Sequence, residues 1–127
     1  MSAIIEKMKG LPKLYPLKAA TTEEISSAEK ELKTAFSEEY KEYLATFGAI
    51  LADGVELSGI AKSEHRNVVS LTKQERELNP SVPHSMYVIE NTGVDGMIIW
   101  QDSDGMIYKT QPNAPPERIA GSLAEYL

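Results

Sequence analysis

No cysteine occurs among the 127 residues. Disulfides, thiolate metal sites and cysteine nucleophiles are therefore excluded. Histidine occurs only twice, as His65 and His84, and neither has a second histidine four residues away. They offer no metal-ligand spacing and read as polar loop residues. Neither a G-x-x-x-x-G-K-[ST] loop nor a G-x-G-x-x-G fingerprint is present, and no serine sits in a nucleophile elbow. Apolar runs stop after a few residues, so no segment predicts a membrane span. Met1–Lys7 lacks the apolar core of a signal peptide. Basic residues are the minority, 13 Lys and Arg against 19 Asp and Glu, for a net charge of −6. That balance argues against nonspecific nucleic-acid binding, which needs cations to neutralise phosphates.

What is present is ordinary. The chain is 42% hydrophobic, which predicts a folded core rather than disorder. A chain of this length buries roughly two-thirds of its unfolded surface. The expectation is one soluble, cytoplasmic domain over residues 1–127, without cofactor or bound metal. Its charge is uneven. Residues 1–20 carry Lys7, Lys9, Lys13 and Lys18 against Glu6 alone. Residues 21–42 carry seven carboxylates against three lysines, and residues 85–108 carry Glu90, Asp95, Asp102 and Asp104 with no Lys or Arg. Such acids either solvate turns and helix faces or form a surface for a basic partner.

The periodicity predicts a short helix over 3–9, capped by Ser2 and stopped by Gly10, then an extended connector through Pro12 and Pro16. Thr21 and Glu24 form a capping box for a helix bearing Ile25, Ala28, Leu32 and Ala35. Ser37 starts the next, with Glu38 and Glu39 in its first turn and Tyr40, Tyr43, Leu44 and Phe47 on one face, up to Gly48. Residues 49–52 and 55–60 read as strands about Asp53-Gly54. Asn67–Asn79 is mixed. A helix is expected from about Leu71, because Val68 and Val69 favour strand. Strands follow at 86–90, 97–101 and 106–110. The first two are apolar on both faces and so are expected to be central in a sheet. A proline-rich loop over 111–116 and a last helix ending at Leu127 complete the chain. Grouped hairpins with helices gathered elsewhere define an α+β protein with a mainly antiparallel sheet flanked by helices.

Chemistry is sparse in this pattern. Asp102-Ser103-Asp104-Gly105 fails as a calcium loop, because Trp100 and Gln111 stand where acids are required. It reads as a hairpin turn. Glu38, Glu39 and Glu42 are adjacent carboxylates, but on the exposed opening of a helix they lack the cleft that acid–base catalysis needs. Tyr40, Tyr43, Phe47 and Trp100 read as core, with a partner-anchoring role open to Trp and Tyr. No catalytic, cofactor-binding or metal-ligating residue is assigned, and the inventory favours a binding protein over an enzyme.

Thr22–Ile25, Ala28–Leu32, Phe36–Leu44 and Phe47-Gly48, in that order, resemble the opening of the SUKH (Smi/Knr-like) superfamily, also named for fungal cell-wall synthesis regulators. Gly59-Ile60, Asp95-Gly96 before Met97–Trp100, Asp104-Gly105 before Met106–Tyr108, and Ser122-Leu123 with Tyr126-Leu127 extend the resemblance over about residues 21–127. Ser37 replaces a frequent Pro, and Phe47 stands where Asn is common before the Gly. The resemblance implies an α+β fold without an enzyme site. Many bacterial members are immunity proteins that neutralise toxins, often nucleases, by binding the carboxy-terminal toxin domain. Such a toxin tends to present a basic cleft. Charge therefore nominates Asp53, Glu56, Glu90, Asp95, Asp102 and Asp104 as partner-binding residues. The alternatives are an intracellular adaptor on the same fold, and an enzyme or small-ligand binder.

Overall fold

The computed structural model describes residues 3–112 and 114–127. Ser2, expected to cap the first helix, lies outside them. Helix α1 spans Ala3–Lys9 and buries Ile4, Ile5 and Met8. Helix α2, Thr22–Leu32, opens on the expected capping box. Glu24 N–H donates to Thr21 Oγ1 (3.1 Å), and Thr21 N–H donates to Glu24 Oε1 (2.9 Å). Satisfying two free helix donors this way is worth about 1 kcal/mol. The helix stops earlier than its periodicity predicts. Lys33 adopts φ +54, and Ala35 lies beyond the end, exposed. Ser37 caps helix α3, Glu38–Phe47, which buries Tyr40, Tyr43, Leu44 and Phe47.

Tyr15–Pro16 (β1), Ile50–Ala52 (β2) and Val55–Leu57 (β3) form a three-stranded antiparallel sheet in that order. The β1 pairing was not predicted. It occupies two residues of the connector, and Pro16 is tolerated because β1 is an edge. The strand expected over 55–60 ends at Leu57, because the chain then turns. Gly59 N–H bonds Arg66 C=O (2.9 Å), and Gly59 C=O accepts from Val68 N–H (2.9 Å). A short 3-10 turn at Glu64–Arg66 leads into helix α4, Val68–Leu78. It begins three residues before the expected start. Asn67 Oδ1 accepts from Val69 N–H (2.9 Å) and Ser70 N–H (3.2 Å). That cap, with burial of Val68, overrides the strand preference of Val68-Val69.

Met86–Asn91 (β4), Ile98–Asp102 (β5), Ile107–Thr110 (β6) and Glu117–Ala120 (β7) form a second antiparallel sheet in chain order. Strand β7 was missed. Its alternation buries only Ala120, and Pro115-Pro116 precede it. Helix α5, Leu123–Tyr126, is capped by Ser122, whose Oγ accepts from Glu125 N–H (3.0 Å). Five helices and two antiparallel sheets among the described residues make this the predicted α+β fold.

One placement corrects the sequence reading. β5 is central, but β4, although buried along Met86–Glu90, lies at an edge of its sheet. Its free edge is covered by side chains and loop backbone instead of a strand. Thr72 Oγ1 of α4 accepts from Val88 N–H (2.9 Å), Ser58 Oγ donates to Val88 C=O (2.7 Å), and Ser58 N–H donates to Ile89 C=O (2.8 Å). Burial of both faces therefore does not require a ladder partner on both sides. A bulge between Val88 and Glu90 re-aims the strand here.

The second sheet separates two apolar clusters. Tyr87, Ile89, Ile99 and Ile107 join the larger one, shared with α1, α2, α3 and α5. Met86, Val88, Ile98 and Trp100 face the other way, onto Leu71 of α4 and Val82, with Tyr108 at the margin. Within the larger cluster the tyrosines carry polar atoms to defined partners. Tyr43 Oη donates to Ser58 C=O (2.8 Å) and accepts from Ile50 N–H (3.1 Å). Tyr87 Oη accepts from Ser37 N–H (2.9 Å) and donates to Gln101 Oε1 (2.9 Å). Ring centroids of Phe36 and Tyr87 lie 4.7 Å apart, edge to face. Burial pushes the Tyr40, Tyr43 and Tyr87 hydroxyls upward in pKa. They are neutral structural groups.

Candidate functional site

The register of β4 and β5 divides the six nominated acids. Asn91 faces Ile98 at one end of the pair, and Met86 faces Asp102 at the other. The ends are separated by the length of β5, roughly 13 Å. Asp95 sits in the loop at the Asn91 end. Asp102 and Asp104 sit in the turn at the opposite end.

Glu90 and Glu56 join the Asn91 end. Glu90 Oε2 accepts from Glu56 N–H (3.2 Å), and Glu90 Oε1 accepts from the Tyr126 hydroxyl. Glu90 is buried, so its carboxylate ties β3 and α5 to β4 rather than facing outward. Burial, then the bond to Glu90, raises the Tyr126 hydroxyl pKa. β3 runs from Glu56 toward Ser58, which meets Val88 and Ile89. The Asp53-Gly54 turn therefore lies beyond Glu56 on the Asn91 side. Asp53, Glu56 and Asp95 are exposed. The four acids at this end thus comprise three outward-facing carboxylates over one internal strut.

The opposite end has the same division of labour. Asp102 Oδ1 accepts from the backbone N–H groups of Asp104 and Met106, both at 3.0 Å, and Oδ2 accepts from the Tyr108 hydroxyl (3.1 Å). These bonds build the turn that displays Asp104, which is exposed. Burial, followed by Asp102, raises the Tyr108 pKa. The adjacent carboxylates of α3 are separated in use as well. Glu39 Oε1 accepts from Gln101 Nε2 (2.9 Å) and Leu123 N–H (2.6 Å), and Oε2 from Ala124 N–H (3.0 Å). It fastens the start of α5. Glu38 faces solvent beside Lys41, 3.0 Å away.

Two cavities open at the Asn91 end and share that residue. One, about 280 Å³, is lined by Glu56, Ser58, His65, Arg66 and Gly93 among others. Arg66 is largely enclosed, and its Nε lies 3.9 Å from Glu56 Oε1. Its Nε and Nη2 have no hydrogen-bond acceptor among the described residues. The other, about 470 Å³, lies under the Asp95 loop beside α4. His65 and His84 are exposed, and His65 Nδ1 lies 2.7 Å from Ser63 Oγ. Among the described residues no group of three or more His, Asp and Glu side chains is placed to hold a metal ion. No helix among them is long and apolar enough to cross a membrane. Sequence reasoning missed Glu75, which lines the second cavity. Its signal was the break in α4 periodicity, where a charged residue falls four positions after Leu71.

The fold and this surface define a small α+β protein that displays Asp53, Asp95 and Asp104 on its turns and loops. The chain belongs to the SUKH family: the model described as SUKH_5, SMI1-KNR4 cell-wall, matches residues 1–127. No curated protein is similar enough to count as a match. Membership supports an immunity or SMI1-KNR4-like role in general terms, acting on a protein partner.

Proposed function

We propose that this protein is an immunity protein that neutralises a cognate polymorphic or contact-dependent toxin, a nuclease, by binding its carboxy-terminal domain. It acts without catalysis of its own, in the cytoplasm, as one domain over residues 1–127. Residues 1–20 belong to that domain, in keeping with the packing of Ile4, Ile5 and Met8 into the larger cluster. The observation that carries the reading is the display of acids at both ends of the second sheet. Asp53, Glu56 and Asp95 lie exposed at one end and Asp104 at the other, while Glu90 and Asp102 hold the backbone beneath them. No Lys or Arg occurs from residue 85 to 108 beside Asp95 and Asp104, while Glu56 has Arg66 Nε at 3.9 Å. An acidic surface of this kind steers association with a basic nuclease cleft and complements it on contact.

The test is a titration with the carboxy-terminal domain encoded by the adjacent upstream gene, at two salt concentrations. Tight one-to-one binding that weakens with salt is expected. Salt-indifferent binding moves the contact to apolar residues. Absence of binding favours an intracellular adaptor on the same fold. Ser103→Lys with Asp104→Lys, which leaves Asp102 to hold the turn, against Asp53→Lys with Asp95→Asn, assigns the end used. If neither pair changes affinity or salt dependence, the acidic-surface reading fails.

A further inference from the structure

Glu75 projects from α4 into the 470 Å³ cavity at the Asn91 end, and it is 5% exposed. A buried carboxylate ordinarily has a cation or several donors around it. Glu75 has neither. Its Oε1 accepts one long bond from Asn79 Nδ2 (3.3 Å), and Oε2 has no hydrogen bond or ion pair among the described residues. The next residue, Arg76, does not serve it. The Arg76 guanidinium donates to Leu32 C=O (2.9 Å) and His84 C=O (2.8 Å) on another side of the helix. Burial raises the Glu75 pKa, in keeping with a carboxylate that nothing compensates.

The cavity around it is lined otherwise by Leu78, Asn79, Asn91, Gly96, Ile98 and Pro112. It holds no cation of its own. Leu78 at its rim is 68% exposed, the most exposed large apolar side chain among the described residues, and Val94 in the overlying loop is 57% exposed. The arrangement sets a single acid among apolar walls from Leu78, Ile98 and Pro112 and two asparagine amides, Asn79 and Asn91.

We propose that this cavity is a socket for one arginine side chain of a partner protein, with Glu75 receiving the guanidinium and Leu78, Ile98 and Pro112 flanking its methylene stem. The occupant is arginine rather than lysine on physical grounds. A guanidinium is weakly hydrated, planar and matched to carboxylate oxygens, whereas an ammonium keeps its water tightly. The long aliphatic stem suits the apolar walls. Glu75 is partly desolvated on folding, so an arriving cation gains the attraction with that part of the usual penalty already met. The apolar rim then excludes water, as surrounds of interface anchors do. The inference rests on the reading of this chain as a protein-binding module and names one anchor within it.

The experiment needs no toxin, so its failure leaves the proposed function standing. N-acetyl-arginine amide is titrated into the full chain and followed by amide chemical shifts, with the uncharged isostere N-acetyl-citrulline amide as control. Saturable shifts centred on Asn79, Asn91 and Gly96 are expected with arginine and not with citrulline. Glu75→Gln, which keeps shape and the Asn79 contact, is expected to weaken arginine binding at least tenfold. Equal response to citrulline overturns the socket. So do shifts centred on Asp53 or Asp104, an undiminished response in Glu75→Gln, or no saturable shift at the cavity.

Discussion

The two faces of the second sheet are built differently. On one, Tyr87, Ile89, Ile99 and Ile107 meet four helices, and every tyrosine hydroxyl there is matched to a named partner. On the other, Met86, Val88, Ile98 and Trp100 meet Leu71 of one helix and the loop residue Val82, and the cluster runs out into a cavity with an under-partnered Glu75. The buried hydroxyls of Tyr43 and Tyr87 on the closed face are taken up within the fold. The open face ends at a carboxylate that accepts one long side-chain hydrogen bond. The alternation of side chains along β4 and β5 lets the two sides of one sheet be built so differently.

The sharpest way to break the closed face is through its backbone. Gly59 leaves no room for a side chain: a Cβ there meets Gly48 C=O at 1.8 Å, and Ile60 N–H bonds that same carbonyl (3.0 Å). Gly59→Ala is expected to lose about 4 kcal/mol or to leave no folded protein, read by urea unfolding. Neighbouring residues on β5 then compare the faces directly. Ile99→Ala, on the closed face, is expected to cost about 4 kcal/mol, and Ile98→Ala, at the edge of the cavity, about 2 kcal/mol, since the open face relaxes more easily. Equal losses would remove the distinction. Tyr43→Phe deletes the hydroxyl that serves both Ser58 C=O and Ile50 N–H, and is expected to cost about 1–2 kcal/mol.

The smallest effect belongs to Glu75. Burial raises its pKa, so the native state holds the proton more firmly than the unfolded chain. Its favourable contribution is complete below the unfolded value, about 4.3, and is lost as pH rises through the higher native value. Urea unfolding of wild type and Glu75→Gln at pH 4 and pH 7 measures this. The glutamine variant should gain on wild type between the two. A constant difference would show that Glu75 is compensated after all.

The elements legible in advance were those whose signals are local. The Thr21–Glu24 box, the Ser37 cap with its Tyr40–Phe47 face, and the Asp102–Gly105 turn appear where the residues predict them. β7 was not legible, because a strand with a single buried residue carries almost no periodicity. Helix α4 starts before the expected Leu71 because Val68 and Val69 carry a strand preference in sequence, which the Asn67 cap and burial outweigh in the fold. Among the nominated acids, residue type and local charge were visible, but their separation into exposed groups and internal struts was not. Glu90 and Asp102 look like Asp95 and Asp104 in sequence. They differ only in what the strand register brings against them.

By itself, then, the sequence determined the class of fold, the capped helices, the apolar faces and the excess of acid, because caps, turns and periodicities act within a few residues. Only the tertiary structure decided which acids face outward, that β4 is an edge closed by Ser58 and Thr72, and that Glu75 sits alone in a cavity. Those outcomes depend on groups far apart in the chain, such as Thr72 with Val88 and Asn91 with Leu78, whose meeting no local pattern encodes.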